Sequence, residues 1–215
     1  THRILPPPAL LGLTLLGALS PLLSFTRFFQ MKEWRWDRLQ EHLRQEGWLV
    51  PVFGKTRLFL LLVFLPSLAT PLSETVLEVI LILFAALTIL QLALRKQGKP
   101  VPTSKALSIL ALSLLLTFVI AVVLDHHLHA SFLLPLLVVS QPFVIGLAWG
   151  ILLPLDSFLK RRVMNSAAML RAAHPDLTVI GIAGSVGKTT TKELLKHLLQ
   201  DLRPMATPAH VNTEM

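Results

Sequence analysis

The sequence predicts an α-helical membrane domain of about five transmembrane helices, followed by the start of an α/β P-loop domain. Three observations carry this prediction. Long apolar runs fill the first 155 of the 215 residues. The basic residues gather in alternate connections between those runs. At 177–199 a β-branched run, a glycine loop and a helical pattern follow one another directly. Composition agrees: 53% of the chain is apolar before glycine is counted, against about 45–50% with glycine in a soluble domain. Charged residues make up 15%, where about 25% is usual, and the mean hydropathy is +0.65. These values exclude a disordered chain and an ordinary soluble globule. Cysteine is absent, which excludes a disulfide framework, a thiolate metal site and a thiol nucleophile. Thr1 is not a start methionine and Met215 follows Asn-Thr-Glu, so a fragment cut at both ends is expected.

The expected spans lie near 10–28, 58–72, 76–94, 106–124 and 132–155. A helix crosses a bilayer core with about 20 residues, and inside lipid a helix satisfies every backbone polar group locally. The run 58–72 is short and carries Pro66, as expected of a tilted or re-entrant half-span. Charge placement tests the count. Arg27, Lys32, Arg35, Arg38, Arg44, Lys55 and Arg57 lie between the first two runs. Arg95, Lys96, Lys99 and Lys105 lie between the third and fourth, and eight more cations follow the fifth. Residues 70–75 and 125–131 carry no Lys or Arg. The positive-inside rule then puts the N-terminus outside and the C-terminal tail in the cytoplasm of a multi-pass protein. The net charge of +8 is thereby a topology signal, and nucleic acid is not an expected partner; the bilayer is.

Other readings of this half are weaker. A signal peptide at the first run would put seven cations outside. A transport pathway calls for ionisable residues within the spans, whereas charged residues there are scarce: Glu78 lies one turn into the third run, and Gln91 and Gln141 are uncharged. Asp125-His126-His127-Leu128-His129 reads as a solvated outer loop before it reads as a metal site. Residues 30–48 alternate charge with Met31, Trp34, Trp36, Leu39 and Leu43, the pattern of an amphipathic helix at the cytoplasmic interface.

After Leu155 the composition changes. Residues 156–176 form a basic linker helix broken at His174-Pro175-Asp176. The run 177–183 is β-branched, as buried parallel strands are. Gly184-Ser185-Val186-Gly187-Lys188-Thr189-Thr190-Thr191 follows, then a helical pattern through Leu199. Glycines let backbone N–H groups approach phosphate oxygens, and a helix start adds partial positive charge. Lys188 suits the β- and γ-phosphates, and the Thr189 hydroxyl suits Mg²⁺. Ile182 stands where the longer loop form has glycine, which leaves the short G-x-x-G-K-T form.

Ala183–Glu193 resembles the ATP-binding loop of the Mur ligases. Its Ser-x-Gly-Lys-Thr-Thr-x-Lys-Glu version is most similar to the branch that joins D-alanyl-D-alanine to UDP-N-acetylmuramoyl-tripeptide. Ala206–Glu214 resembles that branch's Thr-Pro-Gly-Asn-x-Asn-Thr segment, with Ala209 and His210 replacing its Gly and Asn. Residues 32–38 look similar to the first cytoplasmic loop of membrane-bound relatives. The resemblance implies that 177–215 begins a truncated ATP-binding domain of the Mur ligase central type, at the bacterial cytoplasmic membrane. It implies peptide-bond formation in peptidoglycan precursor synthesis, through an acyl phosphate, with ATP and Mg²⁺ as cofactors. The acceptor would be a muramoyl-peptide, UDP- or lipid-linked, and the amine an amino acid or dipeptide. By position, Gly184, Ser185, Val186, Gly187, Lys188, Thr189 and Thr190 would bind nucleotide. Lys188 would be catalytic, Thr189 would ligate the metal, and Asn212 and Thr213 would lie near the substrate. The fragment by itself is expected to be inactive. The competing expectations are a membrane-associated lipid-sugar kinase, which would need an acidic base for the hydroxyl proton, and a membrane scaffold with a vestigial loop.

Overall fold

The computed structural model describes residues 4–67, 73–128, 130–184 and 186–207. They divide into two compact units, Thr1–Pro154 and Leu155–Met215. Among the described residues, four helices are long and apolar enough to cross a membrane: Pro7–Met31, Glu74–Ala93, Ser104–His127 and Gln141–Ala173.

In the first unit, α1 (Pro7–Met31) starts where Pro7 and Pro8 occupy the first turn, whose N–H groups have no helical partner in any case. The amphipathic α2 (Trp36–Glu46) buries Leu39 and leaves Trp36 exposed. A short α3 (Leu49–Phe53) leads into α4 (Lys55–Ser67), whose 13 residues are fewer than a perpendicular crossing needs. Then come α5 (Ser73–Ala93) and α6 (Ser104–Val122). Thr103 caps α6, its Oγ1 accepting from the Ala106 N–H at 3.2 Å. A π-helical turn, Val123–His127, prolongs α6.

The expected single span over 132–155 is corrected. The structure has a 3₁₀ turn at Ser131–Leu133, a short α7 (Leu134–Val139), a break at Ser140, and then α8 (Gln141–Ala173). Pro142 is the reason: it has no N–H for the Val138 carbonyl, and its ring disfavours helical backbone before it. Side chains seal the break. Leu137 O accepts from Ser140 Oγ at 3.1 Å and from Gln141 Nε2 at 2.8 Å. Gln141 is fully buried, and its Oε1 lies 2.9 Å from Thr117 Oγ1 on α6.

Pairings between helices fix their directions. Glu78 near the start of α5 accepts from the Ile4 and Leu5 N–H groups just ahead of α1, at 2.9 and 3.0 Å. Gln30 near the end of α1 accepts from the Val101 N–H beyond α5 at 2.8 Å. The two helices therefore run parallel. Between these points Gly17 lets them touch: a Cβ there would stand 3.0 Å from the Phe84 Cβ. Pro21 leaves the Gly17 carbonyl without its i+4 N–H, and the buried Thr88 Oγ1 donates to that oxygen at 3.3 Å. One apolar cluster joins Leu10, Phe64, Leu81, Phe84 and Val138. A second, at the other end of α1, joins Phe29, Leu39, Ile109 and Ile145. Because Phe64 near the end of α4 shares the cluster of Leu10 near the start of α1, α4 runs against α1. Its first turn consequently lies at the end that carries Arg27, Arg95 and Lys99.

The second unit begins within α8, so the expected linker helix is the continuation of the last long helix, ending at Ala173. Arg171 Nη1 donates to His174 O at 2.8 Å and closes that end. The run 177–183 is extended but unpaired, and no strand occurs among the described residues. The expected strand is thus corrected to extended chain, because a β-strand exists by its ladder and no partner segment lies alongside. Helix α9 (Lys188–Leu198) and a 3₁₀ turn at Gln200–Leu202 complete the unit.

Candidate phosphate-binding site

Gly187 sets the geometry of the loop. Its φ of 80° is left-handed, a conformation glycine takes without a Cβ penalty, and it turns the chain straight into α9. The first α9 bond along the backbone runs from the Thr191 N–H to Gly187 O at 2.9 Å. Thr191 Oγ1 donates to the same oxygen at 3.0 Å. No side chain caps the helix, so the N–H groups of Lys188, Thr189 and Thr190 have no helical acceptor. These donors and the positive end of the helix dipole favour an anion.

Lys188 Nζ donates to Gly184 O, folding its ammonium back over the loop. Lysine brings a compact charge with three donors. Among the described residues, the loop and the start of α9 are exposed, Val186 at 90%. Gly184, Val186, Gly187, Lys188, Thr189 and Thr190 thus lie together on one loop and one helix turn. Ser185, Asn212 and Thr213 lie outside the described residues.

The residues present fit a nucleotide's phosphates: three free N–H groups, one ammonium and the left-handed turn at Gly187. They also fit Mg²⁺ in a limited sense. Among the described residues no three His, Asp or Glu side chains converge as a metal cage. Mg²⁺, however, keeps several waters and commonly takes one or two protein ligands with substrate phosphates, so the Thr189 hydroxyl suffices as a protein contribution. Lys192 was not singled out by its residue type. Its Nζ donates to Thr207 O at 2.8 Å and stands 3.4 Å from Glu193 Oε1, tying the segment that leads to residue 208 back to α9. The sequence signal for it is the Lys-Glu pair closing the loop motif.

Comparison with protein-family models, curated proteins and solved structures gives no match for this chain.

Proposed function

We propose that the chain is the membrane-anchored part of an ATP-dependent ligase of the Mur type, joining an amine to a muramoyl-peptide carboxylate during peptidoglycan precursor synthesis. The observation that carries the reading is Gly187 turning directly into an uncapped helix that begins Lys-Thr-Thr, within a motif that resembles that family's loop. The bundle's basic end would face the bacterial cytoplasm and deliver the loop to cytoplasmic ATP.

In this reading the acceptor carboxylate oxygen attacks the γ-phosphorus, and ADP leaves with the bridging oxygen. The amine nitrogen then attacks the acyl carbon. Phosphate departs, and the nitrogen loses a proton to give the amide. The chain's contribution is positioning and charge neutralisation. The N–H groups of Lys188–Thr190 would hold phosphate oxygens, and Lys188 would move from Gly184 O onto the β,γ-bridge. Mg²⁺, held in part by Thr189, would supply further neutralisation when bound. The acceptor is a muramoyl-peptide carried on UDP or on a lipid, and the second substrate is an amino acid or dipeptide.

The test is equilibrium binding of a fluorescent ATP analogue to the detergent-solubilised chain with Mg²⁺. Lys188→Ala should weaken binding about tenfold or more, the worth of a charge-assisted contact to phosphate. Unchanged binding in Lys188→Ala would sink the nucleotide site and favour a scaffold.

A further inference from the structure

The elbow between α1 and α2 borders an open cavity of about 500 Å³, whose lining includes Met31, Lys32, Asp37, Arg38, Glu41 and His42. Apolar contacts hold the elbow in place. The Trp34 N–H donates to Phe29 O at 3.1 Å, the two rings meet edge-on at 5.4 Å, and Leu39 of α2 is buried. The His42 ring lies 5.1 Å from the Phe28 ring, and the Lys32 ammonium stands 5.8 Å from that same ring.

Of the charged side chains in that lining, two are already answered by opposite charge. Asp37 accepts from Arg35 at 2.5 Å, Arg38 pairs with Glu33, and His42 Nε2 lies 3.3 Å from Glu46 Oε2. Lys32 and Glu41 are different. Among the described residues, the Lys32 ammonium has the Phe28 ring beside it and forms no ion pair. The Glu41 carboxylate accepts from a neutral donor, Gln45 Nε2, at 2.7 Å and likewise forms no ion pair. Opposite charges therefore line one cavity without pairing with each other. A ligand that carries both an anionic oxygen and an ammonium would answer both at once.

We infer that Lys32 and Glu41 bind the headgroup of an aminophospholipid, Lys32 taking its phosphate and Glu41 its primary ammonium. Location decides between a lipid and a dissolved zwitterion. Contacts of exposed charges are weak in water, so such a site fills only where its ligand is concentrated. The cavity lies at Met31, the last residue of a helix long and apolar enough to cross a membrane, and there the bilayer's own headgroups are the concentrated species. The site lies within the first unit and is independent of the nucleotide reading.

Native mass spectrometry of the detergent-solubilised chain tests this, with dioleoylphosphatidylethanolamine, dioleoylphosphatidylglycerol and free phosphoethanolamine as probes. The two lipids share acyl chains and a phosphate, and the first alone has an ammonium. Glu41→Gln should lower the ratio of retained phosphatidylethanolamine to phosphatidylglycerol about threefold. Lys32→Gln should weaken retention of both lipids about threefold and leave the ratio in place. Glu46→Gln removes an equal charge from the same helix outside the cavity lining, and should leave the ratio within about 1.5-fold. Glu41 and Glu46 are both exposed, so neither change strips a buried contact from the fold. An unchanged ratio in Glu41→Gln, or unchanged retention in Lys32→Gln, would overturn the proposal. Equal shifts in Glu41→Gln and Glu46→Gln would overturn it in favour of diffuse attraction. Displacement of the lipid by millimolar phosphoethanolamine would overturn it in favour of a soluble zwitterion, and a wild type that retains neither lipid would overturn it without a variant.

Discussion

The contact between α1 and α5 at Pro21 can be tested as a coupled pair. Pro21 has no N–H, so the Gly17 carbonyl depends on Thr88 Oγ1 at 3.3 Å. Thr88→Val removes the hydroxyl with little change of shape, leaving that carbonyl unpaired against buried apolar groups. The 3.3 Å separation is at the long end for O–H···O, so the lower part of the range applies. Side-chain hydrogen bonds measured within membranes average about 0.6 kcal/mol and reach about 1.7, and Thr88→Val should cost about 0.6 kcal/mol. Pro21→Ala returns an N–H to the helix and gives Gly17 O its own partner. In that background Thr88→Val should cost almost nothing, a coupling energy of about 0.6 kcal/mol in a double-mutant cycle. Reversible unfolding in mixed detergent micelles, followed by far-ultraviolet circular dichroism, measures all four proteins. Thr14→Val serves as a control, because Thr14 Oγ1 bonds Leu10 O within α1 at 2.8 Å and should not couple to Pro21. Equal costs of Thr88→Val in both backgrounds would refute the reasoning, because the hydroxyl would then not be repairing the proline's gap.

Three other outcomes follow from the structure. Gly17→Ala sets a methyl 3.0 Å from the Phe84 Cβ, whereas the same change at Gly12 meets nothing within 4 Å. Both gain the same helix propensity, so Gly17→Ala should unfold about 1–3 kcal/mol more easily than Gly12→Ala; equal stabilities would refute the close contact. Arg35 hydrogen-bonds Asp37 at 2.5 Å and holds its carboxyl below the ordinary carboxylate range. Because the folded value is depressed, that contribution is present above the ordinary range and is lost as pH falls through the lowered value. Asp37→Asn should therefore melt earlier than wild type by tryptophan emission at pH 7 and match it only in strong acid; a gap that persists in acid would exclude this ion pair as the cause. The cysteine-free chain also allows single-cysteine labelling with an impermeant maleimide. Leu128→Cys should react in intact cells and Lys99→Cys only after permeabilisation, and the opposite pattern would invert the proposed topology.

The long helices were legible because a continuous apolar run is a local signal. Runs expected at 10–28, 76–94 and 106–124 became Pro7–Met31, Ser73–Ala93 and Ser104–Val122, with ends moved by prolines and the Thr103 cap. The break at Ser140 was written in Pro142, but apolar content outvoted it. The strand at 177–183 could not be decided from its own residues, since β-branching records a preference and a ladder requires a distant segment. The turn at Gly187 into α9 was legible because Gly187 and the helix it starts are neighbours in sequence. Arg57 was grouped with the loop cations by its position. Its inward turn depends on Ser20, 37 residues away, and on Gln91, 34 away, and only helix packing brings those together.

The polar residues inside the bundle bear on whether the spans carry more than an anchor. A transport route would enlist Glu78, Gln91 and Gln141, the carboxyl and carboxamide side chains within the apolar runs. Glu78 instead accepts the two N–H groups ahead of the proline-rich start of α1. Gln141 closes the helix break that Pro142 makes, and Thr88 mends the gap at Pro21. Thr88 and Gln141 thus answer gaps that prolines leave where water cannot replace the backbone bond, and Glu78 satisfies two N–H groups that precede α1. Gln91 differs, since it bonds the Ser20 hydroxyl, which also accepts from the Arg57 guanidinium. If the interior served transport, polar groups would face one another across a path. What the bundle holds is local backbone repair along its length and one forked cation held by Ser20 and Gln91, which is the arrangement of an anchor rather than of a path.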